Sequence, residues 1–289
     1  MFEGSIVAIV TPFEDGKIDE RRLSELIEFH ISEGTSAILP CGCTGEAATL
    51  THKEQEYMIK LVIDMVNKRV PVIAGTGSNS TEEALALTRS AKDAGADGAL
   101  LITPYYNKPT PKGQYLHYEK IARAVNIPII LYNVPSRTGI SILPKTIAEL
   151  SKIDNIVGIK EASGSLDQVS AIIDLCDITV LSGDDALTLP MMALGAKGVI
   201  SVAANIVPKR MAMMVKNFIA GNLEESRKIH FSLFPLFKAL FYETNPIPVK
   251  TALGMMGRIT PELRLPLCEI ENENRERLRK VLTDTRVLS

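Results

Sequence analysis

Short apolar runs alternate with amphipathic stretches along the whole chain. Ser5 to Val10, Ala37 to Pro40, Val70 to Ala74, Gly98 to Ile102, Ile129 to Tyr132, Ile156 to Lys160, Thr179 to Leu181 and Gly198 to Val202 are rich in Val, Ile and Leu. They lack a polar residue at every second place, as strands do when both faces are buried. Between them lie helical patterns with start and stop signals. Asp19 caps a helix that carries Leu23, Leu26, Ile27 and Ile31 on one face, and Gly34 stops it. Thr51 and Glu54 form a capping box for the second helix. Ser80 or Thr81 opens the third, which ends near Gly95. Further helices are predicted from Lys112 to Val125, after Pro144, from Leu166 to Leu175, up to Gly195 and from Val207 to Ala220. Asn133 to Gly139 reads as a loop.

Eight strand–helix alternations imply a parallel sheet with right-handed crossovers. Eight units in roughly 220 residues fit an α/β fold of the (β/α)8 TIM-barrel type. A doubly wound open sheet is the alternative, but no Gly-x-Gly-x-x-Gly follows the first strand, which disfavours its dinucleotide-binding form. The expected organisation is a catalytic barrel over 1–221 and a helical extension over 222–289, with helices from Leu223 to Phe241, Pro248 to Met255 and Asn274 to Leu282 packed on it.

The 289 residues carry 23% charged side chains and a net charge of −2, which gives no reason to expect nucleic acid or an anionic membrane as partner. No apolar run approaches the ~20 residues of a membrane span. The N-terminus shows no signal-peptide pattern, and four scattered cysteines make no disulfide framework. A reducing cytoplasm is therefore expected.

Chemistry is expected where the barrel strands end. Thr11, Thr44, Glu46, Thr76, Tyr105, Tyr106, Tyr132, Arg137, Lys160, Ser182 and Asp184 fall there. Lys160 is the unexpected one, because an ammonium among apolar neighbours is costly. Either it pairs with a carboxylate such as Glu161, or the dry site lowers its pKa and the free amine attacks a carbonyl to give a Schiff base. Tyr132 closes the neighbouring strand, so its hydroxyl can shuttle protons for that chemistry, with Thr44 bonded to it. Arg137 offers a fork for a carboxylate, although it also fits a surface ion pair. Together they imply a 2-oxo acid or an aldehyde acid as substrate. Gly75-Thr76-Gly77 is read as a tight turn rather than a phosphate cradle, and Cys41-Gly42-Cys43 as structural, since it lacks a second cysteine pair. His30, His52, His117 and His230 are dispersed, which speaks against a zinc-dependent aldolase.

Four stretches carry a resemblance: Gly42-Cys43-Thr44-Gly45-Glu46, Thr103-Pro104-Tyr105-Tyr106-Asn107-Lys108-Pro109, Tyr132-Asn133-Val134-Pro135-Ser136-Arg137-Thr138-Gly139 and Gly158-Ile159-Lys160-Glu161-Ala162. With Ser182-Gly183-Asp184-Asp185 and Gly198-Val199-Ile200-Ser201 they resemble the dihydrodipicolinate synthase family, the 4-hydroxy-tetrahydrodipicolinate synthases, over essentially the whole chain. That family belongs to the pyruvate-dependent class I aldolases. The resemblance implies that Lys160 forms the Schiff base with pyruvate and that Tyr132, Thr44 and Tyr106 relay protons, with Tyr106 reaching in from a neighbouring subunit. It implies that Thr44 and the backbone of Ile200 hold pyruvate, with Gly183 beside it, and that Arg137 binds the carboxylate of L-aspartate 4-semialdehyde. It further implies a homotetramer, a step toward diaminopimelate and lysine, and a covalent intermediate needing no metal or other cofactor.

Two positions depart from the family's pattern. Cys43 stands where Thr or Ser is usual, so a weaker thiol donor takes the place of a hydroxyl beside pyruvate. Residues matching a lysine-binding inhibitory site are present at Ala48, His52, Asn79, Glu83 and Tyr105, but Ala47 and Gln55 replace a serine and a histidine, which leaves inhibition open. Two other readings stay in play. One is a sister aldolase cleaving N-acetylneuraminate or a 2-keto-3-deoxy sugar acid. The other is a non-catalytic barrel that binds 2-oxo acids.

Overall fold

The computed structural model describes residues 2–288. Among these, eight parallel strands alternate with helices: β1 (Gly4–Ala8), β2 (Ala37–Leu39), β3 (Ile73–Gly75), β4 (Gly98–Ile102), β5 (Ile129–Asn133), β6 (Ile156–Glu161), β7 (Thr179–Ser182) and β8 (Gly198–Ser201). Each pairs with its sequence neighbour, and β8 returns to β1. A parallel bridge between Ile38 and Val72 joins β2 to β3 and closes the barrel. The expected TIM barrel is what the chain forms.

Two apolar layers follow from the period-2 alternation of buried strands. Ile6, Ile73, Leu100, Ile130, Leu181 and Ile200 fill the barrel's interior. Val7, Ile38, Leu101, Leu131, Ile159 and Val199 face outward into the helical layer. Residue parity thus decides which layer a strand side chain enters.

The helices begin and end where their caps dictate. The Asp19 side chain accepts from the Arg22 N–H at the head of α1 (Glu20–Ser32). Both halves of the Thr51–Glu54 capping box are made at α2 (His52–Val66). Ser80 caps α3 (Thr81–Ala94), which stops at Gly95 in the left-handed region. Around the barrel follow α4 (Pro111–Ala124), the single turn α5 (Pro135–Thr138), α6 (Pro144–Leu150), α7 (Leu166–Leu175), α8 (Thr188–Leu194) and α9 (Pro208–Ile219). Beyond 221 come α10 (Leu223–Ala239), α11 (Ile247–Met255) and α12 (Asn272–Asp284). Their buried Leu236, Val249, Leu253 and Leu278 join the barrel's outer apolar layer. No helix among the described residues is long and apolar enough to cross a membrane.

Three details differ from expectation. A two-stranded hairpin pairs Phe13–Glu14 with Lys17–Ile18 at the foot of α1. Residues 135–138 form a turn of helix rather than open loop, because Pro135 at its start lacks the N–H that a helix leaves unused. And β6 runs one residue further than read, so Glu161 lies within the strand instead of starting a turn.

Candidate active site

Tyr132 and Lys160 are paired across β5 and β6 in direct register. Lys160 is only 6% exposed. Its Nζ lies 4.4 Å from the centre of the Tyr132 ring. Among the described residues no carboxylate makes an ion pair with this amine. Glu161 is on the opposite face of the strand. Its carboxylate accepts from Asn133 Nδ2 at 2.9 Å, from the Ser163 N–H at 2.7 Å and from Gln168 Nε2 at 3.2 Å. Of the two readings open for Lys160, the pairing with Glu161 is therefore excluded. Burial pushes the amine down to about 8, and Arg137 adds to this, while charge on Cys43 or Asp185 works the other way.

The glycine at 183 makes room for the lysine. A Cβ there would stand 2.6 Å from Ala162 Cβ and 3.0 Å from Lys160 Cε, so the stem of the lysine occupies the space a side chain would need. Asp185, two residues on, is 3% exposed. Its Oδ2 accepts from the N–H groups of Val202 and Ala203, at 3.1 and 2.9 Å, which ties β7's loop to the end of β8 just past Ile200. Burial pushes its carboxyl up to about 6.

Tyr132 is 6% exposed, and burial raises its hydroxyl well above the ordinary range. The Cys43 thiol lies beside that hydroxyl and raises it further. Thr44 is buried, but its Oγ1 accepts from Asn245 Nδ2 at 3.0 Å, and among the described residues it makes no hydrogen bond with Tyr132. The direct Thr44–Tyr132 bond expected from sequence is thus replaced by a thiol contact on one side and an amide on the other. Arg137, on α5, is exposed at the edge of the mouth and its Nη2 donates to the Asn245 carbonyl at 3.1 Å. Asn245 therefore touches both Thr44 and Arg137, although 201 residues separate it from the first. Nothing local in the sequence marks it.

A cavity of about 370 Å³ opens here. Cys43, Tyr132, Arg137 and Asn245 line one part, and Ala47, Ala48, Gln55, Tyr105 and Leu267 another. Beneath it Glu46, in the left-handed region at φ 55°, closes the loop that carries Cys43 and Thr44. Glu46 and Lys250 of α11 are both fully buried, and their Oε1 and Nζ are 2.5 Å apart. The loop is held further by Gly75, where a Cβ would meet the Cys41 carbonyl at 2.2 Å, so the Gly75-Thr76-Gly77 stretch is a packed turn.

The other strand-end residues are spent on structure. Thr11 Oγ1 donates to the Gly45 carbonyl, Thr76 Oγ1 bonds Thr88 Oγ1, and Ser182 Oγ donates to the Asp184 carbonyl. Tyr106 is 89% exposed at φ 69° and stands outside its own chain's mouth. Of the residues matched to a lysine site, His52 Nε2 is 3.8 Å from Glu83 Oε2, and Asn107 Nδ2 donates to the Asn79 carbonyl next to Tyr105. Gln55 turns its amide inward, donating to the carbonyls of Ala47 and Leu50.

Known proteins match this arrangement over the full chain. The model of the dihydrodipicolinate synthetase family covers residues 1–285. The 4-hydroxy-tetrahydrodipicolinate synthase of Thermodesulfovibrio yellowstonii is 59% identical over 284 residues, 98% of each chain. The dihydrodipicolinate synthase of Aquifex aeolicus superposes with a TM-score of 0.98 at 51% identity, covering 99% of each chain. That of Acinetobacter baumannii, solved as the chloride-inhibited enzyme with pyruvate, gives a TM-score of 0.98 at 49% identity over both whole chains. The chain thus belongs to the dihydrodipicolinate synthase family, lyases of the Schiff-base aldolase type.

Proposed function

We infer that this enzyme condenses pyruvate with L-aspartate 4-semialdehyde, as a 4-hydroxy-tetrahydrodipicolinate synthase in the route to diaminopimelate and lysine. The observation that carries the reading is the buried amine of Lys160, in no ion pair among the described residues, lying on the ring of Tyr132. An amine brought down to about 8 is partly neutral at physiological pH and can attack a ketone. Lys160 adds to the pyruvate carbonyl, and loss of water gives the Schiff base. Tyr132 moves the protons at the carbinolamine, and Cys43 and Thr44 flank its hydroxyl region at the substrate's carboxylate. Gly183 and the backbone of Ile200 form the wall beside the ketone. The enamine then attacks the aldehyde carbon of the semialdehyde, whose carboxylate Arg137 receives. The amine of that second substrate closes the ring and releases Lys160. The covalent intermediate holds the electrons that a cofactor would otherwise take up, so the scheme needs neither metal nor cofactor.

Tyr106 completes the relay in a neighbouring subunit, and the full assembly is a homotetramer built from dimers. Its outward position and 89% exposure support that assignment. The cytoplasm is the place of action, where four free cysteines stay reduced. Ala48, His52, Asn79, Glu83 and Tyr105 are the residues available to a lysine effector, with the amide of Gln55 committed elsewhere.

Reduction with cyanoborohydride in the presence of pyruvate tests the reading: one pyruvyl group is expected on Lys160 and none on a Lys160→Ala variant. A coupled assay with aspartate semialdehyde against N-acetylneuraminate or a 2-keto-3-deoxy sugar acid separates the synthase from its sister aldolases. Trapping without any turnover would leave a binding barrel.

A further inference from the structure

We propose that Cys43 is a redox-sensitive switch in the mouth: a small hydroperoxide converts its thiol to a sulfenic acid when the site is empty, and bound pyruvate shields it. The inference rests on the reading of Lys160 as the pyruvate-binding amine.

The four cysteines are free but differ in setting. Cys41 is buried, its Sγ donates to the Gln55 carbonyl at 3.7 Å, and burial pushes its thiol up to about 12, which makes it a poor nucleophile. Cys176 donates to the Ile172 carbonyl within its own helix. Cys268 is exposed and, although it follows Leu267 of the cavity wall, does not itself line the cavity. Cys43 alone combines partial exposure with a place on the wall of the 370 Å³ cavity. A second observation, independent of the sulfur, points the same way. Lys160, nine-tenths buried and in no ion pair among the described residues, lies with its Nζ 4.4 Å from the ring of Tyr132, which lines this cavity together with Arg137. Cationic neighbours and partial exposure are the setting in which cysteines react.

The step balances. The Cys43 sulfur attacks one peroxide oxygen, an S–O bond forms and the O–O bond breaks. The departing hydroxide or alkoxide takes the thiol proton and leaves as water or an alcohol, so sulfur is oxidised by two electrons and the peroxide reduced. Two equivalents of a small thiol reverse it through a mixed disulfide. The added oxygen stands against the Tyr132 hydroxyl and in the space meant for the substrate's carboxylate, so Schiff-base formation stops. Pyruvate bound to Lys160 fills that space first. Sensitivity therefore follows substrate supply: the enzyme is exposed to oxidants when pyruvate is scarce.

The test uses the intact enzyme, hydrogen peroxide and peptide masses, with and without pyruvate reductively trapped on Lys160 and the excess pyruvate, which itself consumes peroxide, removed beforehand. In the untrapped enzyme activity should fall in step with one added oxygen at Cys43 and return with dithiothreitol, and in the trapped enzyme Cys43 should gain that oxygen about tenfold more slowly. A Cys43→Thr variant should keep measurable turnover and resist the peroxide, while Cys268→Ser should lose activity at the parent's rate. Equal inactivation of Cys43→Thr, an unmodified Cys43 in inactivated enzyme, or no protection by pyruvate would overturn the proposal. Peptide masses decide even where the variant turns over too slowly to assay. If cyanoborohydride traps no pyruvate on Lys160, the functional reading has failed. If trapping succeeds and Cys43 stays reduced, only the switch has failed.

Discussion

Lys160 draws its properties from its immediate surroundings, and two predictions follow from them. Its pKa in the fold is about 8, below the ordinary lysine value, chiefly through burial. The neutral amine therefore gains population as pH rises through 8. The rate of cyanoborohydride trapping at fixed pyruvate should climb across that range and level off above it, and a flat profile from pH 6 to 10 would contradict the assignment. The same depression is a stability statement. The unfolded chain binds the proton more tightly, so the burial penalty is felt below pH 8 and is relieved as pH rises toward the unfolded value. Gly183 supplies the second prediction. Gly183→Ala sets a methyl 3.0 Å from Lys160 Cε and 2.6 Å from Ala162 Cβ, so the lysine stem must move. A displacement of that order at a reacting group costs about a hundredfold in kcat/KM, and the clash with Ala162 Cβ lowers Tm as well. Lysine and tyrosine were legible in the sequence because each closes an apolar run. Cys43's contact with Tyr132, and the loss of the Thr44–Tyr132 bond, were not, since rotamers in a loop leave no periodic trace.

Strands and helices were legible wherever apolar spacing and caps agreed. Gly98–Ile102 and Leu166–Leu175 fall where the pattern puts them. The hairpin at Phe13 escaped because two-residue strands carry no alternation. Glu161 was misread as the start of a turn, since its partners Asn133 and Gln168 come from other elements. The longest-range links were invisible for the same reason. Glu46 belongs to the loop after β2 and Lys250 to α11, yet together they form a fully buried ion pair that also stacks Lys250 on Phe13 at 4.3 Å. Arg264 adds a backbone N–H to Glu46 and a fork to Glu54. Removing one partner strands a buried charge. Glu46→Gln or Lys250→Met alone should cost about 3–5 kcal/mol of stability, whereas the double variant should recover most of it. Urea unfolding of the three variants checks this. Because Glu46 ends the loop bearing Cys43 and Thr44, the stable double variant should still turn over slowly, and wild-type kcat in it would show that the pair serves folding alone.

At the level of the molecule, the helices beyond 221 and the barrel share their core. Lys250 neutralises Glu46 beneath the mouth, and Asn245 bridges Thr44 and Arg137. A fragment spanning 1–221 should therefore be poorly folded by circular dichroism, with Glu46 buried and unpaired; a cooperative melt would instead support a self-sufficient barrel of that length. The chain's own mouth also lacks one member of the proposed relay, because Tyr106 points outward. If a neighbour supplies it, two inactive variants must repair each other. Lys160→Ala subunits keep a competent Tyr106 but have no amine, and Tyr106→Phe subunits keep the amine but offer no hydroxyl. In a mixed dimer, the site built on the Tyr106→Phe chain has its own Lys160 and receives Tyr106 from the other chain. Random reassociation at equal amounts gives half mixed dimers with one complete site in two, so about a quarter of wild-type activity should return. Separately reassociated variants should stay inactive. A mixture no more active than its parents would place Tyr106 outside the reaction or within its own chain, and the mouth formed by Lys160, Tyr132 and Cys43 would then have to carry the proton transfers alone.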